Sequence, residues 1–260
     1  MQAVWQKKRK GLYFGIMKIA GIIAEYNPFH NGHKYHIKET KKQCDAVVDI
    51  ISSNFVQRGE PSICNKFARA KMALNCGADL VLELPVYYSC KSAEYFAQGG
   101  METLNALGIV DYLSFGVEDN CSELWEIAKV LTNPNEEFKN RLNKALAEGK
   151  SFPSARAYAL LNYSELLEKP NNILAIEYMK AMLKTNSKII PMPIKRMAIN
   201  HDSVEVEGGF ASASYIRSLI TSGEKYQEFM PKEAFDILNE ETALGLAPVT
   251  IQPLENTILA

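Results

Sequence analysis

The alternation of short apolar runs with helical segments is the feature that most constrains the fold of this chain. The run at 18–25 (KIAGIIAE) is almost continuously apolar and ends at Asn27-Pro28, which is typical of a central strand buried on both faces of a parallel sheet. Further strand-like runs lie at 46–51, 79–84 and 112–116. Segments of helical character separate them, at 32–42, 67–75 and 93–107. This order predicts a doubly wound α/β sheet.

The second half of the chain has a different pattern. Three helical segments follow one another, at 122–131, 136–147 and 173–183. A proline-containing apolar run at 188–194 then predicts a strand at the edge of the sheet, because proline cannot donate a ladder hydrogen bond. A short helix is expected at 212–220 and a weaker one at 232–238. The α/β domain is therefore expected to carry a helical insertion.

Composition and charge are those of an ordinary globular protein. The 260 residues are 47% hydrophobic and 23% charged, with a formal net charge of -1, so the overall charge does not favour a nucleic-acid partner. The charge is uneven, since residues 1–42 carry nine basic residues and two acidic ones. The five cysteines include no C-x-x-C pair, which indicates neither a zinc knuckle nor a disulfide framework and favours a reducing cytoplasm. No run approaches the roughly 20 apolar residues that a membrane span needs.

The segment from His30 to His33 (HNGH) lies between the first strand and the first helix. Ligands bind at this position in open α/β sheets, where the free N–H groups of a helix start favour phosphate. Gly32 has no Cβ, so the backbone at this position can approach a phosphate closely. His30 and His33, three positions apart, can face the same anion. Such donors suit a phosphoryl centre from which pyrophosphate departs. The alternative is that two surface histidines are neighbours by chance.

A second candidate phosphate site is the segment 212–217 (SASYIR). Hydroxyl groups at a helix start are ordinary N-caps, which is one interpretation of Ser212 and Ser214. The other is that the helix start, these hydroxyls and Arg217 grip the β- and γ-phosphates of a nucleotide. Because two such motifs occur in one α/β domain, they support a nucleotide-binding function more strongly than either motif does alone.

Several other residues are weaker candidates for binding a ligand. Arg58, in a loop after the second strand, is a candidate for holding an anionic ligand at the edge of the sheet that carries His30, or for pairing locally with Glu60. The isolated His201 is interpreted as a surface or capping residue. We hypothesise that four lysines and an arginine form a basic surface stripe that binds phosphates: Lys180, Lys184, Lys188, Lys195 and Arg196.

Together, the two phosphate motifs resemble the nucleotidylyltransferase superfamily of the H-x-G-H type, whose distal element has the pattern S-S-T-x-x-R. Ala213 departs from that pattern by replacing a serine. Four longer segments resemble the tRNA(Met) cytidine acetate ligase family. They are EYNPFHNGH at 25–33, NFVQRGEP at 54–61, PNNIL at 170–174 and PIKR at 193–196. The likeness extends from about Met17 to about Arg217.

This resemblance implies a Rossmann-like fold and an ATP-dependent ligase. Such an enzyme activates acetate as acetyl-adenylate and transfers the acetyl group to N4 of the wobble cytidine of elongator tRNA(Met), without acetyl-CoA. The partners implied are ATP, acetate and tRNA, with Mg²⁺ expected alongside ATP, in the cytoplasm, with no membrane and no protein partner inferred. Two alternatives stay open: a small-metabolite adenylyltransferase of cofactor biosynthesis and a non-catalytic RNA- or nucleotide-binding module.

The resemblance also implies roles for particular residues. On an enzyme of this family, Arg58 would be a candidate for holding acetate or a tRNA phosphate. His30, His33 and Arg217 would be catalytic, with Ser214 and Arg217 holding the departing pyrophosphate. The ATP site would comprise these and further residues: Ile23, Glu25, Asn27, Pro28, Phe29, Asn31, Gly32, His36, Gly116, Asn171, Asn172, Arg196 and Ser212. Without the family, a turn glycine, a helix cap and a surface arginine are the simpler interpretations of Gly116, Asn171 or Asn172, and Arg196.

The same resemblance predicts the domain organisation. Residues 1–16 are expected to be a loose extension, with Met17 as a possible native start, and residues 17–223 to form the ATP-binding domain. Relatives usually continue into a longer C-terminal helical segment. Residues 224–260 are therefore expected to begin such a segment, cut short.

Overall fold

The computed structural model describes residues 17–196 and 209–252. The expectations for the extension at 1–16, for His201 and for the apolar residues 254–260 lie outside the described residues. Within the described ranges, no helix has the length and apolar character that crossing a membrane requires.

The centre of the molecule is a five-stranded sheet in the order β3-β2-β1-β4-β5, with every neighbouring pair parallel. The strands are β1 (Ile19–Ala24), β2 (Ala46–Ser52), β3 (Leu80–Leu84), β4 (Tyr112–Val117) and β5 (Ile190–Lys195). This arrangement confirms the prediction of a doubly wound parallel sheet. The proline-containing β5 lies at the edge of the sheet, as expected.

Ten α-helices occur in the described residues. In chain order they are α1 (Asn31–Thr40), α2 (Lys66–Asn75), α3 (Val86–Ser89), α4 (Ala93–Leu107), α5 (Cys121–Thr132), α6 (Glu136–Ala147), α7 (Phe152–Ala159), α8 (Pro170–Thr185), α9 (Ala213–Ser222) and α10 (Lys232–Ala243). The helices α5 to α8 connect β4 to β5, so the predicted helical insertion is confirmed. The sequence pattern missed α3 and α7, which are too short for a clear apolar period.

Both faces of the sheet are covered, because successive side chains of a strand point to opposite sides. On one face Ile23 and Val48 pack against α4, α5 and α8. On the other, Ile22 and Val47 pack with residues of α1, α2, α9 and α10. The helix α10 therefore shares the core of the second face, where Ile237 and Leu238 are buried.

Two glycines let α4 approach β1 closely. A Cβ on Gly100 would lie 2.5 Å from Cδ1 of Ile23, and one on Gly21 would lie 2.7 Å from Cδ1 of Leu104. Larger residues at either position would push helix and strand apart. This close packing fixes the end of β1, from which the candidate site begins.

Candidate active site

A cavity of about 730 Å³ opens at the carboxyl edge of the sheet. Its walls come from the ends of β1 and β4 and from the starts of α1, α4, α8 and α9. In the strand order 3-2-1-4-5, the connections leave β1 and β4 in opposite directions, so the edge between them is the topological switch point where doubly wound folds bind ligands.

His30 and His33 lie together at the N-terminus of α1. His30 is the N-cap residue, and its extended backbone (φ -132°, ψ 176°) turns the chain into the helix. Because the two side chains are three positions apart at a helix start, their rings stack, with centroids 3.7 Å apart. Both line the cavity, as the sequence predicts.

The protonation of these two rings follows from their hydrogen bonds. Nδ1 of His30 accepts the N–H of Gly32 at 3.0 Å, and Nδ1 of His33 accepts the N–H of His30 at 3.2 Å. A nitrogen that accepts cannot carry the proton of a neutral imidazole, so in both rings the proton is on Nε2. Each ring therefore keeps one N–H donor for a ligand.

Electrostatics hold both rings neutral. Burial, followed by the charge of Arg196, lowers the pKa of His30 to about 3. Burial is also the main reason that the pKa of His33 lies well below its ordinary value, with neighbouring His30 second. Two stacked imidazolium ions in a buried site would repel each other, so neutral donors are the stable form.

His36, one turn further along α1, also lines the cavity. Its Nε2 lies 2.8 Å from Oγ of Ser114 in β4, and that hydroxyl lies 2.7 Å from Oγ1 of Thr40. Burial and the charge of Arg196 lower the pKa of His36 to about 4. This small network joins α1 to β4 beneath the cavity. No local pattern in the sequence indicates a role for Ser114 or Thr40.

The start of α9 also reaches this cavity, although the predicted phosphate ligands Ser212, Ser214 and Arg217 are not among its lining residues. Phe210, Ala211 and Ala213, at the start of α9, line it together with His30 and His33. Arg217, one turn into α9, donates from Nη1 to the backbone oxygen of Asn27 at 2.8 Å. The fold therefore brings together the two helix starts on which the functional interpretation depends.

The hydroxyl groups of this motif act within the helix start. Oγ of Ser212 accepts the N–H of Tyr215 at 3.2 Å, as an N-cap does, and lies 3.0 Å from Oγ of Ser214. Ser214 is exposed. Ala213 lies where the S-S-T-x-x-R pattern has a serine. It lines the cavity but has no hydroxyl group that could bind a ligand.

Asn31 connects the two motifs. Its Nδ2 donates to the backbone oxygens of Gly209 at 2.7 Å and Glu228 at 2.8 Å. One side chain at the start of α1 thereby holds the segment before α9 and the turn before α10. In this conformation both hydrogen bonds of the Asn31 Nδ2 group go to protein backbone oxygens.

A second group of predicted residues surrounds the end of β4. A Cβ on Gly116 would lie 3.1 Å from Cγ of Arg196, so this glycine leaves room for the arginine to cross the strand. Nη1 of Arg196 donates to Oδ1 of Asn171 at 3.0 Å, and Asn171 in turn donates to the carboxylate of Glu118. Gly116, Asn171 and Arg196 all line the cavity.

Asn172 differs from its neighbour. It is fully buried, accepts the N–H of Glu118 at 3.2 Å and donates to Oδ2 of Asp119 at 2.6 Å. These bonds fix the N-terminus of α8 against the loop after β4. Of the two asparagines that the sequence left open, Asn171 lines the cavity and Asn172 supports it.

The loop between β1 and α1 contains the remaining predicted residues. Asn27 lines the cavity, and its Oδ1 accepts the N–H of Ile63 at 2.7 Å. Pro28 follows it through a cis peptide bond and is buried. Phe29 is also buried and packs edge-on against Tyr26, with centroids 4.8 Å apart. Ile23 lines the base of the cavity from β1.

Glu25 presents a carboxylate to the same cavity. Its Oε1 accepts the N–H of Gln57 at 2.9 Å. Burial raises the pKa of Glu25, against the opposing effects of this hydrogen bond and of the nearby Arg217 and Arg69. Arg69, fully buried, donates to the backbone oxygen of Glu25 at 2.6 Å. The sequence pattern missed Arg69, since a buried arginine on an apolar helix face has no local signature.

Tyr26 is a further residue that the sequence analysis missed. It lines the cavity with φ 51°, and its ring lies edge-on to that of His33, with centroids 4.7 Å apart. Its hydroxyl donates to Oδ2 of the fully buried Asp49 at 2.8 Å. Burial raises the pKa of Asp49 to about 7. The pair holds the loop between β1 and α1 against β2.

Lys180, the first residue of the predicted basic stripe, does not lie on the surface. Lys180 is buried, with Nζ 2.6 Å from Glu177 and 3.3 Å from Glu94, and Lys184 pairs with Glu94 at 2.7 Å. Lys188 lies beyond the end of α8, which stops at Thr185. The prediction is wrong for Lys180, because spacing alone does not reveal that Glu177 and Glu94 pair with its buried ammonium group.

Two other basic candidates lie nearer the cavity. Lys195 is exposed at the end of β5 and lines the cavity beside Arg196. The backbone of Arg58 belongs to a one-turn helix, Gln57–Gly59, that follows β2. The side chain of Arg58 lies outside the described part of the structure.

The donor set does not fit a dedicated magnesium site. Over residues 17–196 and 209–252, no group of three or more histidine, cysteine, aspartate or glutamate side chains is arranged to hold a metal ion. The donors at the start of α1 are imidazole nitrogens, whereas Mg²⁺ prefers carboxylate, phosphate and water oxygens.

Comparison with known proteins places this geometry in a family. Among curated proteins, the tRNA(Met) cytidine acetate ligase of Acetivibrio thermocellus is 45% identical over 249 residues, which cover 90% of this chain and 60% of that protein. The ligase of the same name from Caldicellulosiruptor saccharolyticus is 48% identical over 241 residues, with 90% and 60% covered. This chain thus spans about 60% of the length of these relatives.

Solved structures give the same result. The apo structure of Thermotoga maritima TmcAL has a TM-score of 0.85 and 38% identity, covering 90% of this chain and 59% of that chain. The structure of the same protein bound with alpha-thio ATP has a TM-score of 0.82 and 39% identity, with 90% and 58% covered. The family model described as HIGH Nucleotidyl Transferase matches residues 17–259. With its H-x-G-H helix start at the switch point of the sheet, the chain belongs to the HIGH nucleotidyl transferase family.

Proposed function

We propose that this chain binds ATP, activates acetate as acetyl-adenylate and passes the acetyl group to N4 of the wobble cytidine of elongator tRNA(Met). One observation carries the proposal: the helix starts of α1 and α9 line a single cavity, with Arg217 bonded to the loop that leads into His30 and His33. The similarity to proteins named tRNA(Met) cytidine acetate ligase and the alpha-thio ATP bound to Thermotoga maritima TmcAL support it.

In the first step, a carboxylate oxygen of acetate attacks the α-phosphorus of ATP. The new bond joins that oxygen to the α-phosphorus, and the bond to the bridging β-phosphate oxygen breaks, so that pyrophosphate leaves with the electron pair. Negative charge grows on the phosphoryl oxygens as the centre becomes pentacoordinate. Donors already fixed in place stabilise that charge without reorganising.

His30 and His33 are the donors assigned to this charge. Their neutral rings keep a proton on Nε2, because Nδ1 of each accepts a backbone N–H. Neither ring has to transfer a proton in this step, since acetate is already ionised at neutral pH. The low pKa of His30, about 3, therefore agrees with a donor role and argues against general acid catalysis by an imidazolium ion.

Arg217 and the start of α9 are assigned to the departing pyrophosphate. The N–H groups at a helix N-terminus and a guanidinium group both favour phosphate. Gly116, Asn171 and Arg196, on the other side of the switch point, are assigned to the nucleoside. Mg²⁺, which accompanies ATP, is expected to be held by the phosphates rather than by the protein.

In the second step, N4 of the cytidine attacks the carbonyl carbon of acetyl-adenylate. The N–C bond forms, the bond from carbon to the phosphate oxygen breaks, and AMP leaves with the electron pair while the amine loses one proton. The cytoplasm supplies both ATP and tRNA and is the compartment we infer. The five cysteines are free thiols in the structure, as a reducing compartment would keep them.

The first test is exchange of labelled pyrophosphate into ATP, measured with and without acetate. The proposal expects exchange that depends on acetate and does not need tRNA, followed by acetylation of elongator tRNA(Met) and not of the initiator. Nicotinamide mononucleotide and phosphopantetheine serve as competing acceptors. Turnover with one of these, and none with acetate, would overturn the ligase in favour of a cofactor adenylyltransferase.

A further inference from the structure

An exposed aromatic and basic surface lies at the rim of the cavity, and none of the roles assigned above uses it. It consists of Tyr87 on α3, Tyr95 on α4 and Lys91 between the two helices. The tyrosines are 61% and 44% exposed. Nζ of Lys91 lies 3.5 Å from the ring centroid of Tyr87 and 4.6 Å from that of Tyr95. We call these three residues the rim platform.

The rim platform is held rigidly from behind. Next to Tyr87, the ring of Tyr88 packs against Gly99 of α4, and its hydroxyl donates to Glu102 at 2.8 Å. Oγ of the buried Ser89 donates to the backbone oxygen of Phe55 at 2.9 Å. These contacts fix the single turn of α3, so the outward position of Tyr87 is set by buried neighbours. Rigid aromatic side chains lose little conformational entropy when they bind a partner.

The charge of Lys91 remains available to a partner. The nearest acidic residues of α4 are engaged elsewhere, since Glu94 pairs with Lys184 at 2.7 Å and Glu102 accepts the hydroxyl of Tyr88. The ammonium group of Lys91 rests on the faces of two rings, a contact that retains its positive charge. The surface thus offers aromatic faces and a cation together.

The platform is continuous with the cavity. Lys91 and its neighbours Cys90 and Ser92 line the cavity, as do Arg196 and Asn171. A nucleotide whose base enters the cavity would leave its flanking nucleotides at this rim. Proteins bind unpaired RNA by stacking bases on aromatic rings and placing cations near the backbone.

We propose that the rim platform binds single-stranded RNA beside the target cytidine, with flanking bases stacked on Tyr87 and Tyr95 and a backbone phosphate near Lys91. This inference rests on the proposed function for its choice of RNA. It adds a recognition surface that lies within the described chain and outside both phosphate motifs.

The test is direct binding of a labelled stem-loop RNA with the anticodon arm sequence of elongator tRNA(Met) to the purified 260-residue chain. Replacing Tyr87 or Tyr95 by leucine is expected to weaken binding by about tenfold each, because leucine keeps the apolar volume and removes the ring. Replacing either by phenylalanine is expected to retain binding. Lys91→Met is expected to flatten the dependence of log Kd on log salt by about 0.7.

Tyr158 provides a matched control. It is 43% exposed and carries a lysine over its ring, with Nζ of Lys150 at 4.9 Å, but α7 contributes nothing to the cavity wall. Tyr158→Leu is expected to bind RNA like the parent chain. Thermal unfolding checks that each variant is folded, which is expected because all three tyrosine rings are on the surface.

The outcomes separate this inference from the proposed function. Equal RNA affinity for the parent, Tyr87→Leu and Tyr95→Leu chains would overturn the platform, as would a loss shared by Tyr158→Leu or no RNA binding by the parent. Pyrophosphate exchange by the parent needs no RNA, so exchange with a failed platform overturns this inference alone. RNA binding that depends on the two rings, without acetate-dependent exchange, overturns the ligase and leaves the platform.

Discussion

Nη1 of Arg217 lies 2.8 Å from the backbone oxygen of Asn27, a residue 190 positions earlier in the chain. This hydrogen bond joins α9, in the second half of the chain, to the loop between β1 and α1. It places a guanidinium group beside the helix start that carries His30 and His33. The starts of α1 and α9 thereby border the same cavity.

Arg217→Ala removes this connection and is expected to reduce both stability and activity. A hydrogen bond to a charged group contributes about 1.5–3 kcal/mol, and the carbonyl of Asn27 would lose its partner. We therefore expect a fall in the free energy of unfolding of that size, measured by urea denaturation, and a loss of acetate-dependent pyrophosphate exchange. Lys225→Ala, at an exposed position after α9, is the control and is expected to change neither.

His30→Ala and His33→Ala test the donor role of the two rings. Removing one donor that stabilises a developing charge typically lowers kcat by about 10²- to 10³-fold. We expect each variant to show this loss in pyrophosphate exchange, with a smaller change in KM for ATP. A raised KM with an unchanged kcat would contradict the assignment, because it would mean that the rings bind ATP and its transition state equally.

Gly116→Ala tests whether this glycine acts by leaving room for Arg196. A Cβ at this position would lie 3.1 Å from Cγ and 3.3 Å from Cδ of the arginine, so we expect the guanidinium group to be displaced and ATP to bind roughly tenfold more weakly. In the double variant with Arg196→Ala, the glycine change is expected to add little. Fully additive losses in ATP affinity, measured by calorimetry, would show that the two residues act separately.

The pH dependence of stability tests the neutral histidines. Burial lowers the pKa of folded His36 to about 4 from an ordinary 6.5, so the unfolded chain binds the proton first as the pH falls. Stability linked to His36 is therefore complete above about pH 6.5 and is lost as the pH falls toward 4, at up to about 1.4 kcal/mol per pH unit.

His36→Gln removes this titration and keeps a side chain that can bond Ser114. The difference in unfolding free energy between parent and variant is expected to move in favour of the variant as the pH falls from 6.5 to 4. Urea unfolding at several pH values measures it. Asp49, whose pKa is raised to about 7, has the opposite dependence, but it is present in both chains and cancels. A constant difference across this range would refute the buried neutral state.

Local sequence determined the elements of the fold and the chemistry of the first helix start. Apolar runs such as 18–25 could be assigned to strands because a buried parallel strand needs apolar side chains on both faces. His30, Gly32 and His33 could be recognised because their spacing alone puts them on one helix start. Here the interactions are between near neighbours in the chain, and local pattern is enough.

Tertiary structure decided which residues share the cavity and which charged side chains are paired with an opposite charge or with backbone oxygens. Nothing local indicates that Lys180 is buried between Glu177 and Glu94, or that Arg69 is enclosed by the backbone at the ends of two strands. Likewise, only the folded sheet brings Arg217 to Asn27. Hydrogen bonds and charge pairs act over a few ångströms in space, whatever the separation along the chain, so their partners are fixed only when the strands and helices have packed.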